Sequence, residues 1–146
     1  MKKVVTLLLT LFLALNAESL SIPGNIEQKT IKDLKSYNEF VSVMKKVINL
    51  GDTTKAYVLG VLYLKDFPFA KSNKQKAIKY FKIALANSYT STQAAFYLSG
   101  LEEPLEALGD IEHALKNATN AKQQKILTLR YLEIVLTDFY KKFQIP

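Results

Sequence analysis

Residues 56–85, AYVLGVLYLKDFPFAKSNKQKAIKYFKIAL, constrain the fold more than any other stretch of this chain. Ala56, Leu59, Gly60 and Tyr63 fall three or four residues apart. After a loop, Ala77, Ile78, Phe81, Ala84 and Leu85 do the same. That spacing puts each set on one face of a helix. Small residues alternate with large ones, so the two faces can approach closely, and the stretch reads as an αα-hairpin.

The rest of the chain supplies more of the same. A first helix is predicted from near Thr30, with Ile31, Leu34, Tyr37 or Asn38, Val41, Met44 and Ile48 as its apolar stripe. Gly51 suits the left-handed position after its end, and Asp52 or Thr53 can cap the next helix, 54–65. Phe67-Pro68-Phe69 breaks that helix, because proline forbids continuation. Ser72 or Asn73 caps a third helix, 74–87. A fourth runs from 90 or 91 to 100 or 101. Pro104 opens a fifth, to about 118, and Asn120 caps a sixth, 121–143. Glycine and proline number only 5 and 4, too few for the turns of an all-β fold. The expected class is all-α, about six antiparallel helices with short connections.

The N-terminus has a different character. MKK precedes the apolar run VVTLLLTLFLAL, and Asn16-Ala17 then gives way to Glu18 and Ser19. A basic start, a short apolar core and a small residue make a secretory signal peptide. The run is short for a permanent membrane span. Cleavage is expected after Ala17, with Ser19 as the next option. The expected organisation is a signal peptide at 1–17, an extended lead-in at 18–29 around Pro23-Gly24-Asn25, and a helical domain at 30–146. The destination is then the periplasm or the exterior.

The formal charge is +7, carried by 19 lysines and one arginine. Loss of residues 1–17 lowers it to +5. Lysine attracts anions weakly but lacks the bidentate fork that recognises phosphate, and no aromatics interleave with arginines. Nucleic acid is therefore not the expected partner. The chain has no cysteine, which excludes disulfides, thiolate metal sites and cysteine nucleophiles. An exported fold without disulfides must hold by packing.

Internal repetition follows. Ala77, Ile78, Phe81, Ala84, Leu85 and Asn87 match Ala107, Leu108, Ile111, Ala114, Leu115 and Asn117 at a constant offset of 30 residues. AYVLG from Ala56 matches AFYLS from Ala95 at an offset of 39. The order is one helix pair followed by a second, with the later loop lacking most of 67–73.

Ala56-x-x-Leu59-Gly60-x-x-Tyr63, followed by Asn73-x-x-Lys76-Ala77-x-x-Tyr80-Phe81-x-x-Ala84, resembles the Sel1-like repeat, a relative of the tetratricopeptide repeat. The resemblance covers about 56–88 well and 95–117 partially. It implies a short solenoid of stacked αα-hairpins and a protein–protein interaction module, here an adaptor or assembly factor in a bacterial cell envelope. The departures are Asp66-Phe67-Pro68-Phe69 where the family has loop glycines, Ser99 in place of the second helical glycine, and the missing cysteines of some exported members.

Few residues have the chemistry of a catalytic or metal site. His113 is the single histidine, and a zinc site needs several convergent ligands. Glu102, Glu103, Glu106, Asp110 and Glu112 cluster where acids favour a helix start. Ser42-Val43-Met44-Lys45 has the Ser-x-x-Lys spacing of penicillin-interacting enzymes, and some cysteine-rich relatives of the repeat family are associated with such activity. The companion Ser-Asp-Asn and Lys-Thr-Gly elements are missing. A non-enzymatic module without metal or cofactor is expected, with a small cell-wall or β-lactam hydrolase as the alternative.

The expected partner is another protein or peptide of the envelope. The resemblance places the first helix of each pair on a concave surface. Tyr57, Val61 and Leu64 would face outward there, with Gln93, Phe96 and Tyr97 at matching positions and Phe67 and Phe69 in the divergent loop; the alternative is that these rings fill the core against the first or the last helix. Exposed aromatics supply rigid contact area. The last helix is the other candidate. Ile126, Leu129, Leu132, Leu136, Phe139 and Phe143 form one stripe, broadened by Leu127, Tyr131, Ile134 and Tyr140. A terminal helix this apolar either buries two sides within the domain or pairs with another chain.

Overall fold

The computed structural model describes residues 31–143, so the expected signal peptide and extended lead-in lie outside the described residues. The described residues form six helices and no strand: α1 (Leu34–Asn49), α2 (Thr54–Leu64), α3 (Lys74–Leu85), α4 (Ser91–Leu101), α5 (Pro104–Asn117) and α6 (Ala121–Lys142). None of them is long and apolar enough to cross a membrane.

Local chemistry sets most of the ends. Asp33 caps α1 by accepting from Ser36 N–H at 2.8 Å, while Ser36 Oγ accepts from Asp33 N–H at 3.1 Å. This reciprocal box starts α1 at Leu34, later than Thr30. Gly51 follows the end of α1 at φ +110°, the left-handed region that favours glycine. Asn73 and Asn120 cap α3 and α6 by accepting from Lys76 N–H at 3.0 Å and Gln123 N–H at 2.9 Å. Pro104 sits in the first turn of α5. Thr53 precedes α2 but makes no cap with its side chain; Asp52 Oδ1 accepts from Thr54 N–H instead, at 3.3 Å.

Each helix packs on the next in sequence, and α3 also meets α5 while α4 meets α6. The order of packing puts α1 and α6 at opposite ends. The expected face of α2 (Ala56, Leu59, Gly60, Tyr63) is buried, but so is the other: Tyr57, Val58, Val61 and Leu62 are buried too. The expectation that Tyr57 and Val61 face outward is therefore corrected: they are 0% and 4% exposed. The reason is position. α1 packs on α2 from one side, α3 packs on it from another, and Tyr97 of α4 reaches Tyr57. From Ala56 to Tyr63 no face of α2 is left for solvent.

The α2–α3 contact shows why a glycine stands at position 60. A Cβ there would lie 2.7 Å from the ring of Phe81, which is fully buried. The repeated residues also share burial. Ala77 and Ala107, Phe81 and Ile111, Ala84 and Ala114, Ala56 and Ala95, Leu59 and Leu98 are buried pairwise.

Candidate functional site

The eight candidate contact residues fall into separate places. Phe67 and Phe69 stack on each other at 5.3 Å and present themselves to the edge of Tyr37, at 5.5 and 6.0 Å. The divergent loop is thus tied down on α1, and a backbone bridge between Phe67 and Ala70 closes it. Tyr97 lies flat on Phe81, 4.9 Å away with planes 8° apart, and meets Tyr57 at 5.9 Å. That trio is core. Burial, and then the neighbouring Tyr97, pushes the Tyr57 hydroxyl above its ordinary pKa. Phe96 faces elsewhere, with the Arg130 guanidinium 5.8 Å from its ring. Leu64 and Gln93 are half-buried. The structure does not gather these residues into one groove on α2 and α4.

The junction of α4, α5 and α6 holds the polar chemistry. Arg130 of α6 donates through Nε to Ser99 Oγ at 2.7 Å and through a terminal nitrogen to Glu133 at 2.8 Å. Ser99 Oγ in turn donates to the Phe96 carbonyl at 2.6 Å. The Arg130–Ser99 bond staples α6 to α4. Beside them opens a cleft of about 230 Å³, lined by Glu102, Glu133, Thr137 and Lys141 among others.

Next to the cleft, Lys82 of α3 donates to both oxygens of Asp110, at 2.8 and 2.7 Å, and pairs with Glu102 Oε2 at 3.0 Å. The Glu102 side chain is only 2% exposed, and its Oε1 is buried without a hydrogen-bond partner. Burial, then the nearby Asp110 carboxylate, pushes Glu102 up to about 7 against the pull of Lys82. Burial alone would lower Lys82, but its bonds to Asp110 and Glu102 outweigh that and raise it. A carboxyl poised near neutrality is able to exchange a proton at working pH. Here one oxygen is held by Lys82 and the other is enclosed.

In the sequence alone the acids of 102–112 fit a helix start, and nothing local marks this cluster. The repeat held a signal. At the offset of 30, Asp110 stands where the first unit has Tyr80, and both are buried. A carboxylate at a buried aromatic position needs a cation, and the adjacent hairpin supplies Lys82. The other polar candidates are isolated. His113 is exposed, with Asn117 Nδ2 3.3 Å from its Nε2. Ser42 and Lys45 are exposed on α1. No group of three or more potential metal ligands occurs among the described residues.

The last helix is one-sided. Ile126, Leu127 and Ile134 are buried against the domain. Leu129, Leu132, Leu136, Phe139 and Phe143 are 43–66% exposed, and Val135 lies beside them at 37%. Of the two alternatives for this helix, burial of two sides within the domain is not what the structure shows. Six large apolar side chains share its outer face.

No family model, no curated protein and no solved structure matches the chain. The described residues hold a partly buried charged cluster, a small polar cleft and an uncovered apolar helix face.

Proposed function

We propose that this chain is an exported, Sel1-like or tetratricopeptide-like interaction module. In this reading it is periplasmic or secreted and works as an adaptor or assembly factor that binds another envelope protein. The repeated residues are buried in matching pairs, which supports a short solenoid in which each hairpin covers the next. The basic, apolar and small-residue order of 1–17 supports export.

The observation that carries the interaction role is the outer face of α6. Contiguous exposed apolar surface marks interaction sites in folded proteins, and here it lies on a helix whose other face is already used. The contact surface moves accordingly, from Tyr57 and Val61 to Leu132, Phe139 and their neighbours. The test is capture from envelope extract. Wild type is expected to retain a partner, and Leu132→Glu with Phe139→Glu to lose at least about tenfold in capture, since burying a charge in an apolar contact is costly. Both positions are exposed, so far-UV circular dichroism should be unchanged. Equal capture by the double variant would defeat the proposal.

The small cell-wall or β-lactam hydrolase remains the second reading, favoured by Glu102 alone. It requires the Glu102 carboxyl to reach a substrate. The enclosure of Oε1 and the grip of Lys82 on Oε2 weigh against it.

A further inference from the structure

The exposed residues of α6 have a spacing of their own. Leu129, Leu132, Leu136, Phe139 and Phe143 follow intervals of three, four, three and four. That is the a/d pattern of a two-stranded coiled coil. It runs about 21 Å along the helix, at 1.5 Å per residue. One heptad earlier, the same a and d positions hold Lys122 and Lys125. Both lysines are exposed, and neither makes an ion pair among the described residues. The two carboxylates of α6 are already held, Glu133 by Arg130 at 2.8 Å and Asp138 by Lys142 at 3.1 Å. The seam is therefore apolar for two heptads and cationic at its N-terminal end.

We infer that this seam docks an amphipathic helix of another protein, one with apolar a and d positions over two heptads and carboxylates where it meets Lys122 and Lys125. The inference rests on the reading of α6 as the partner surface and names the kind of partner. Charge decides among occupants. In a parallel pair of copies, Lys122 and Lys125 would face their own counterparts across the seam. In an antiparallel pair that opposes Leu129 with Phe143, they would extend past the apolar stripe of the other copy and meet no carboxylate. The parallel pair opposes like charges, and neither arrangement gives Lys122 and Lys125 a carboxylate. A membrane-lying helix carries its cations on the polar face, beside the apolar stripe. Here the unpaired lysines lie within the stripe, at one end. An acidic helix satisfies both the apolar and the cationic part of the seam.

The test uses the purified protein and a designed 28-residue peptide. Two central heptads carry leucine at a and d, and the heptad at each end carries glutamate at those positions, so either orientation presents acid to Lys122 and Lys125. A second peptide has lysine in place of those glutamates. By fluorescence anisotropy at low salt, the acidic peptide is expected to bind about tenfold or more tightly than the lysine peptide. Lys122→Glu with Lys125→Glu should reverse the preference, and Leu132→Glu with Phe139→Glu should remove binding of both. Equal affinity of wild type for the two peptides overturns the inference. So does binding to phosphatidylglycerol vesicles with none to either peptide, or a dimer of the protein in sedimentation that the acidic peptide fails to dissociate. If the peptides fail while capture from extract still depends on Leu132 and Phe139, the helix partner falls and the α6 surface stands. If capture does not depend on them, both fall.

Discussion

Phe81→Ala is expected to destabilise the domain by about 3–5 kcal/mol, the usual cost of truncating a fully buried phenylalanine. The ring is enclosed on several sides. The face of Gly60 lies against it, Tyr97 is stacked on it at 4.9 Å, and Tyr57 lies at 6.0 Å. These neighbours come from α2 and α4, so the cavity left by alanine cannot close by movement of one helix. Tyr57 would also lose a neighbour while its hydroxyl stays buried without a hydrogen bond. Thermal denaturation should show a Tm lowered by roughly 10–20 °C. A fall of only a few degrees would mean that α2, α3 and α4 do not share this core.

Lys82→Met should cost about 2 kcal/mol near pH 8 and less near pH 5. Removing one partner of a buried ion pair costs roughly 3–5 kcal/mol, reduced here because the Lys82 side chain is 41% exposed and partly screened. The pH dependence comes from Glu102. Its folded pKa, about 7, lies above the ordinary 4.5. The folded state thus holds the proton more tightly than the unfolded state. That contribution to stability is fully present below about pH 4.5 and is lost as pH rises through 7. Without Lys82, the carboxylates of Glu102 and Asp110 face each other uncompensated, and the loss becomes steeper. Urea unfolding at pH 5 and pH 8 checks both statements. Glu102→Gln, which removes the titrating group, should flatten the difference between the two pH values. A Lys82→Met protein equally destabilised at both values would contradict the assignment.

How much of this was legible in the sequence depended on the range of the interaction. Helix positions were legible because their punctuation is local: Asn73 and Asn120 cap, Pro104 opens a first turn, and Gly51 takes a positive φ. The close contact at Gly60 was legible as a small residue in a helical stripe. The burial of Tyr57 and Val61 was not, because it depends on α1 and α4 arriving from elsewhere in the chain. Periodicity marks one packed face; it does not say that a central helix has two. The same limit applied to Glu102 and Asp110. Their positions fit a helix start equally well, and only packing brings Lys82 across from α3. For α6 the excess of apolar residues was visible, but which side met the domain was not. Arg130, bonded to Ser99, orients it.

The partner contact proposed for the outer face of α6 makes a directly observable prediction. It is tested most directly by site-specific crosslinking with a photoreactive residue at position 139, compared with one at position 43. Phe139 and Val43 are both exposed, 59% and 52%, on helices at opposite ends of the packing order. A discrete adduct is expected from position 139 that Leu132→Glu removes, and none from position 43. An adduct from position 43 and none from position 139 would contradict it.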